Sequence, residues 1–228
     1  MPTSTVEDYL KAILVEEQRL PPDRLVTMGQ IGVALDVAPG TVTAMVKTLE
    51  KGGLLTYEPY SGVRLTHGGR QMALDVLRRH RLIELFLVET LGLDWSEVHD
   101  EAERLEHAMS DKLIDRIDAL LGFPSVDPHG DPIPDTRGKL PKTDLVNLSE
   151  CRPGAARIAR VSDQDEAFLR FVEKNGLKPG AEVDVRPRDP SAAAVTLAPV
   201  GRDEVTLGGE AAAKLWVEVA DGDPGAVG

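Results

Sequence analysis

The segment "TMGQIGVALDVAPGTVTAMVKTLEKGGLLTYEPYSGVRLT", residues 27–66 of a 228-residue chain, constrains the fold more than any other. It reads as two short amphipathic helices parted by Asp36-Val37-Ala38, with Pro39 near the start of the second and Gly52-Gly53 after its end. "LLTYEPYSGVRLT" then reads as two short strands around Pro59, Tyr60, Ser61 and Gly62. A further helix is expected over residues 3–19, where Ser4 and Glu7 stand at capping-box spacing and Val6, Leu10, Ile13 and Leu14 recur at helical period. Three helices followed at once by a hairpin make a winged helix-turn-helix. Such a module offers the N-terminal residues of its last helix to the major groove, here Thr41, Thr43, Ala44 and Lys47, with Tyr60 and Ser61 on the wing turn. Val42, Met45, Val46 and Leu49 are left to pack the core.

A net charge of −12 argues against nucleic acid only if it is spread evenly, and it is not. Residues 1–72 hold 7 Lys/Arg against 8 Asp/Glu, residues 73–135 hold 6 against 15, and residues 136–228 hold 13 against 15. The excess therefore lies in the middle, and the first segment stays compatible with a local basic surface. One cysteine, Cys151, excludes both an internal disulfide and a multi-cysteine zinc site. No run approaches a membrane span, and "MPTSTVEDYL" lacks the parts of a signal peptide, so a cytoplasmic protein is expected.

The acidic middle also holds histidines at helical spacing. In "VHDEAERLEHAMSD" Glu103, Glu106 and His107 share one helix face, with His99 one turn before Glu103. In "RRHRLIELF" His80 and Glu84 again stand four apart. Either pair alone reads more readily as a solvated, weakly paired face than as a ligand set. Two sets on consecutive helices, with Leu82, Ile83, Phe86 and Leu87 between them, point to a shared interior that a divalent cation neutralises.

Helices are expected from Arg70 to Leu91, from Asp94 to Met109 and from Asp111 to Leu121. The Pro/Gly-rich residues 124–153 read as linker or extended chain, with His129 a loop residue. Beyond them "ARIARVS", "AEVDVRP", "AAVTLAP" and "KLWVEVA" alternate as strands around one helix near "DEAFLRFVEKNG", a small barrel. The fold class is mainly α with small β. Residues 1–70 form the winged helix, 71–140 a helical domain, 141–152 a linker and 153–228 the barrel.

"EDYLKAI", "APGTVTAMVKTLEKGGLL" with its wing, "RRHRLIELFLVETLGLDWSEVHDEAERLEHAMSD" and "DPHGDPIP" together resemble the diphtheria toxin repressor family, whose other branch is the manganese transport regulators. The resemblance spans nearly the whole chain. It implies a helical dimerisation domain with two metal sites and a third, SH3-like (FeoA-type) domain. The primary site it implies uses Asp8 with Glu103, Glu106 and His107, and the ancillary site His80, Glu84 and His99, joined by Gln164 and Asp165 of "VSDQDEAF".

Iron-responsive members place Met and Cys where this chain has Asp8 and Glu103, and hard oxygen donors suit Mn(II), with Fe(II) the alternative. Manganese regulators of the two-domain kind carry an acid three residues after the aspartate, where this chain has Lys11. The expected protein is thus a metal-activated, homodimeric repressor that binds a palindromic double-stranded operator of metal-homeostasis genes and engages no membrane. A metal-dependent hydrolase, the reading of another class, needs a motif such as H-E-x-x-H, a nucleophile elbow or a P-loop, and nothing here resembles one.

Overall fold

A computed structural model of the chain describes residues 3–188 and 193–219. These fall into two compact units: the residues up to His80 with Leu105–Ser110 and Pro134–Leu140, and Arg81–Arg104 with Asp111–Ile133 and the residues from Pro141 onward.

The first unit opens with α1 (Ser4–Arg19), α2 (Met28–Ala34) and α3 (Pro39–Lys51), then β1 (Leu55–Glu58) and β2 (Gly62–Leu65), and enters α4 (His67–Glu89). Leu10, Ile13 and Leu14 of α1 meet Ile31, Val42 and Leu49 of the helical pair in one buried cluster. Each such side chain contributes about 1.5–3 kcal/mol of burial. The α1 cap differs from expectation. Thr3, not Ser4, is the N-cap, its side chain makes no capping bond, and Ser4 lies inside the helix. The capping box forms instead at α2, where Thr27 and Gln30 satisfy each other's main-chain N–H.

β1 and β2 pair antiparallel from Leu55↔Leu65 to Glu58↔Gly62, and Val26 bridges Val63 at the wing's inner edge. Tyr60 takes φ 65° at the turn, and Gly62 takes φ 145° where a Cβ would stand 2.5 Å from the carbonyl of Val26, so only glycine lets the wing lie against that strand.

The second unit continues α4 and holds most of α5 (Val98–Glu106), α6 (Asp111–Leu120) and the β-rich part. Its sheet is β3 (Val146–Asn147), β4 (Gly154–Val161), β5 (Glu182–Val185), β6 (Ala194–Pro199), β7 (Val205–Gly208) and β8 (Leu215–Val219), in the order β3-β8-β4-β5-β6-β7 with every described pairing antiparallel. α7 (Glu166–Lys174) and α8 (Gly209–Ala213) complete it. Ile158, Val172, Leu177, Val185, Leu197 and Val217 are buried with Trp95 in one core.

Two local readings change. The segment read as a linker over 141–152 is built into the sheet: β3 pairs with β8, and Leu148 and Cys151 are fully buried. β7 was not expected at all, nor was α8, which begins at Gly209 with Gly208 as its N-cap.

Candidate metal centre

Asp8 stands on α1, and Glu106 and His107 at the C-terminal end of α5. Donor atoms of these three residues lie within 4.8 Å of one another, though 98 and 99 positions of chain separate Asp8 from the other two. Asp8 Oδ1 is 2.8 Å from His107 Nε2, and Glu7 Oε2 is 2.7 Å from His107 Nδ1. A neutral imidazole has one N–H to give, so two carboxylates at those distances favour the imidazolium. Burial, the largest single influence on His107, opposes that charge. The bond to Glu7, the field of Glu106 and the bond to Asp8 together outweigh it and hold the His107 pKa above its ordinary value. Burial pushes the Asp8 carboxyl up, against the bond from His107.

Glu106 is the most enclosed member, its side chain 0% exposed. Its Oε1 accepts from Lys11 Nζ at 2.7 Å and lies 3.4 Å from His107 Nε2, while Oε2 is 2.6 Å from His80 Nδ1. If the His107 proton leaves Nε2, that nitrogen, Asp8 Oδ1 and Glu106 Oε1 are three donors converging from two helices. Oxygen and imidazole donors so arranged suit a divalent transition ion, and Glu7, bound to the far nitrogen, fixes the tautomer that presents Nε2.

A second cluster lies in the other unit. Glu84 of α4 meets Asp127 and His129 from the loop after α6, all three buried, with donor atoms again within 4.8 Å. His129 Nε2 is 2.9 Å from the carbonyl of Trp95, and a carbonyl can only accept, so Nε2 carries the hydrogen. If the ring carries no second proton, Nδ1 presents a lone pair. It faces Glu84 Oε2 at 3.9 Å and Asp127 Oδ1 at 4.0 Å, and makes no hydrogen bond to the described residues. With Nδ1 unprotonated, these three groups are placed as donors to one cation.

The loop is built for the position. Asp127 Oδ1 accepts the main-chain N–H groups of His129 and Asp131, and Val161 at the end of β4 donates its N–H to the His129 carbonyl. Gly130, at φ +83°, packs so close to β4 that a Cβ would stand 1.9 Å from the carbonyl of Ala159. Burial, the nearby Asp131 and Glu84 raise the Asp127 pKa well above the usual carboxylate range, against Arg81, whose Nε is 3.6 Å from Oδ2.

Residues 1–63 match the family described as "Iron dependent repressor, N-terminal DNA binding domain", residues 66–135 its "metal binding and dimerisation domain", and residues 146–219 the "FeoA domain". The chain is 35% identical over 229 residues to the iron-dependent repressor IdeR of Mycobacterium tuberculosis, covering 94% of this chain and 96% of that one. It is 31% identical over 212 residues to the diphtheria toxin repressor of Corynebacterium diphtheriae, covering 87% and 90%. The chain belongs to the diphtheria toxin repressor family. Among solved structures, a manganese-dependent transcriptional repressor in complex with manganese superposes at TM-score 0.85 with 40% identity, over 93% of this chain and 98% of that one. ScaR with bound Zn2+ does so at TM-score 0.78 with 35% identity, over 95% and 99%. Members of the family are metal-dependent transcriptional repressors, not enzymes.

Within this family member the expected site residues are distributed as follows. Asp8, Glu106 and His107 come together. Glu103, on the preceding turn of α5, is half exposed with Oε1 3.8 Å from His99 Nε2. Donor atoms of His80, Glu84 and His99 lie within 4.8 Å of one another, with Glu84 Oε1 3.3 Å from His99 Nδ1, and His80 Nδ1 is also 2.6 Å from Glu106 Oε2. Asp165 is exposed and caps α7 by accepting from Phe168 N–H. Gln164 has a buried Oε1 that makes no hydrogen bond among the described residues.

Glu7, Lys11 and Asp127 were not singled out as site residues, and His129, read as a loop residue, is wholly buried. On α3, Thr41, Ala44 and Lys47 are exposed and Thr43 half-buried, its hydroxyl donating to the Pro39 carbonyl, and Tyr60 and Ser61 are exposed on the wing. None of the described helices is long and apolar enough to cross a membrane.

Proposed function

We propose that this chain is a manganese(II)-activated, homodimeric repressor that binds a palindromic operator and controls metal-ion homeostasis in the cytoplasm. The observation that carries the reading is the convergence of Asp8 from α1 with Glu106 and His107 from α5. An ion held there supplies one thing, a cross-link between the first helix of the winged module and the helical domain. Asp8 and Glu106 provide oxygen donors, His107 provides Nε2, Glu7 orients the ring, and Glu103 on the preceding turn is the further carboxylate. In a two-fold dimer that link sets the spacing of the two α3 helices, and helices mis-spaced for the half-sites cannot both dock. Thr41, Thr43, Ala44 and Lys47 read the groove, with Tyr60 and Ser61 beside it.

The second cluster is the other cation site in this reading. Glu84, Asp127 and His129 hold the ion, and the buried Gln164 oxygen and His99 are further donors. Its reporter is already in place, because the Trp95 ring lies 5.3 Å from that of His129. In a Trp216→Phe background, Mn²⁺ should change Trp95 emission, and His129→Gln should remove the change. Emission that ignores Mn²⁺ while the protein binds two equivalents excludes this site.

Kinship with IdeR favours iron(II) as the second reading. Fluorescence anisotropy on the DNA upstream of its own gene and of neighbouring metal transporters, at fixed salt, separates the two. Mn²⁺ should tighten binding about 5- to 150-fold over EDTA, the usual size of coupling between sites. Activation by anaerobic Fe²⁺ but not Mn²⁺ would reverse the metal assignment. Equal binding with and without metal on a confirmed target would remove the regulatory reading.

A further inference from the structure

Lys11 lies one turn beyond Asp8 on α1 and is only 8% exposed, a depth at which a lysine is rare unless paired. Its Nζ is 2.7 Å from Glu106 Oε1 and 3.5 Å from His80 Nδ1. That Glu106 oxygen is also the one 3.4 Å from His107 Nε2, so it faces the ammonium and the donor cluster at once.

We propose that Lys11 sets the metal threshold of the first cluster, its ammonium sharing Glu106 Oε1 with the activating ion and opposing that ion's entry. The proposal rests on the reading that Asp8, Glu106 and His107 hold that ion. A fixed positive charge on a ligand atom lowers the affinity of any dication for that atom, steeply where water is excluded. The same ammonium joins α1 to α5 through Glu106, so the chain carries its own weaker version of the link the metal makes. A high threshold follows: the ion must exceed what Lys11 already provides. The flexible four-carbon stem lets the ammonium withdraw from Oε1 without moving α1, so Lys11 opposes the ion without excluding it.

The test is Mn²⁺ titration of the full chain by calorimetry, for the wild type, Lys11→Met, Lys11→Arg and Glu106→Gln. The component lost in Glu106→Gln is the first cluster. For that component Lys11→Met should bind about ten-fold more tightly than the wild type, the scale expected from removing one nearby charge. Lys11→Arg should stay within about three-fold, since it keeps the charge. Melting in EDTA should be lower for Lys11→Met, since Glu106 is then buried without its ammonium. If Lys11→Met does not fold, Lys11→Gln carries the same expectation, because it keeps a donor for Oε1 without the charge. Unchanged or weaker binding in the neutral variant overturns this proposal and leaves the site reading intact. A Glu106→Gln chain that binds Mn²⁺ as the wild type does overturns both.

Discussion

In the first unit the carboxylates face cations the chain itself provides: Lys11 on Glu106, and His107 between Glu7 and Asp8. In the second unit, Glu84, Asp127 and His129 Nδ1 face one another, with His99 Nδ1 3.3 Å from the other oxygen of Glu84 and Arg81 Nε 3.6 Å from Asp127. The difference separates two kinds of cation site. Where internal cations are in place, a metal must displace a proton and an ammonium, so binding is conditional. Where the donors are buried and turned inward, a metal displaces only the proton that burial favours on Asp127 and joins α4 to the loop after α6, so binding supports the fold. The first arrangement suits a sensor and the second a structural support.

The largest effect should come from breaking the internal pairing. Glu106→Ala strips the partner from the buried Lys11 ammonium, and losing one member of a buried pair costs about 3–5 kcal/mol. Chemical denaturation in EDTA checks this, and a loss below about 1 kcal/mol would contradict the pairing. Glu106→Gln, gentler on the fold, should instead abolish the Mn²⁺-dependent gain in operator affinity. The next effect belongs to the second cluster: Asp127→Asn should remove much of the Mn²⁺-induced rise in melting temperature yet leave metal-dependent operator binding within a few-fold. Loss of operator response comparable to that in Glu106→Gln would erase the distinction between sensor and support.

Acidity sharpens the contrast. The folded pKa of His107 is raised, so the stability its charge contributes is complete below about 6.5, the ordinary value, and is lost as pH rises through the folded pKa. An ion taking Nε2 must displace that proton, so Mn²⁺ affinity at the first cluster should increase across the same window, with proton release visible as a buffer-dependent heat. A pH-independent affinity there would argue that His107 is not a ligand. The smallest effect separates DNA contact from metal altogether. Lys47→Ala should weaken operator binding evenly across sequences and reduce the salt slope by about 1, with Mn²⁺ stoichiometry unchanged.

How much of this was legible in sequence depends on whether the cause is local. The helix pair, the wing and four of the barrel strands were readable because hydrophobic period and turn residues are written into each segment. β3 was hidden: two residues pair with β8, and the burial of Leu148 and Cys151 comes from a sheet that a Pro/Gly-rich string does not announce. Helical spacing identified His80, Glu84, Glu103, Glu106 and His107, but spacing gives the face of one's own helix, not the neighbour across from it. His80 shows the limit: beside Glu84 on its own helix, its Nδ1 also meets Glu106, a neighbour that spacing does not announce. Lys11 was noted as the wrong charge for a two-metal cluster, and its pairing with Glu106 was out of reach because 94 residues intervene. His129 lies in a loop as its Pro and Gly neighbours signal, but its burial was out of reach, because a turn is exposed unless something distant covers it. The one local hint was the spacing of "DPHGD", in which the first aspartate can accept from main-chain N–H groups two and four residues on, as it does.

The contact of Gly130 with the Ala159 carbonyl has a consequence for descent. The histidine turn lies against a barrel strand that fills the place a side chain at that glycine would take. A lineage that shed the barrel would release the steric part of the ban on larger residues at that glycine, its φ of +83° remaining, and the main-chain bond from Val161 that holds the histidine in register. The loss of the third domain and the loss of His129 should therefore appear together in descendants, as one event rather than two.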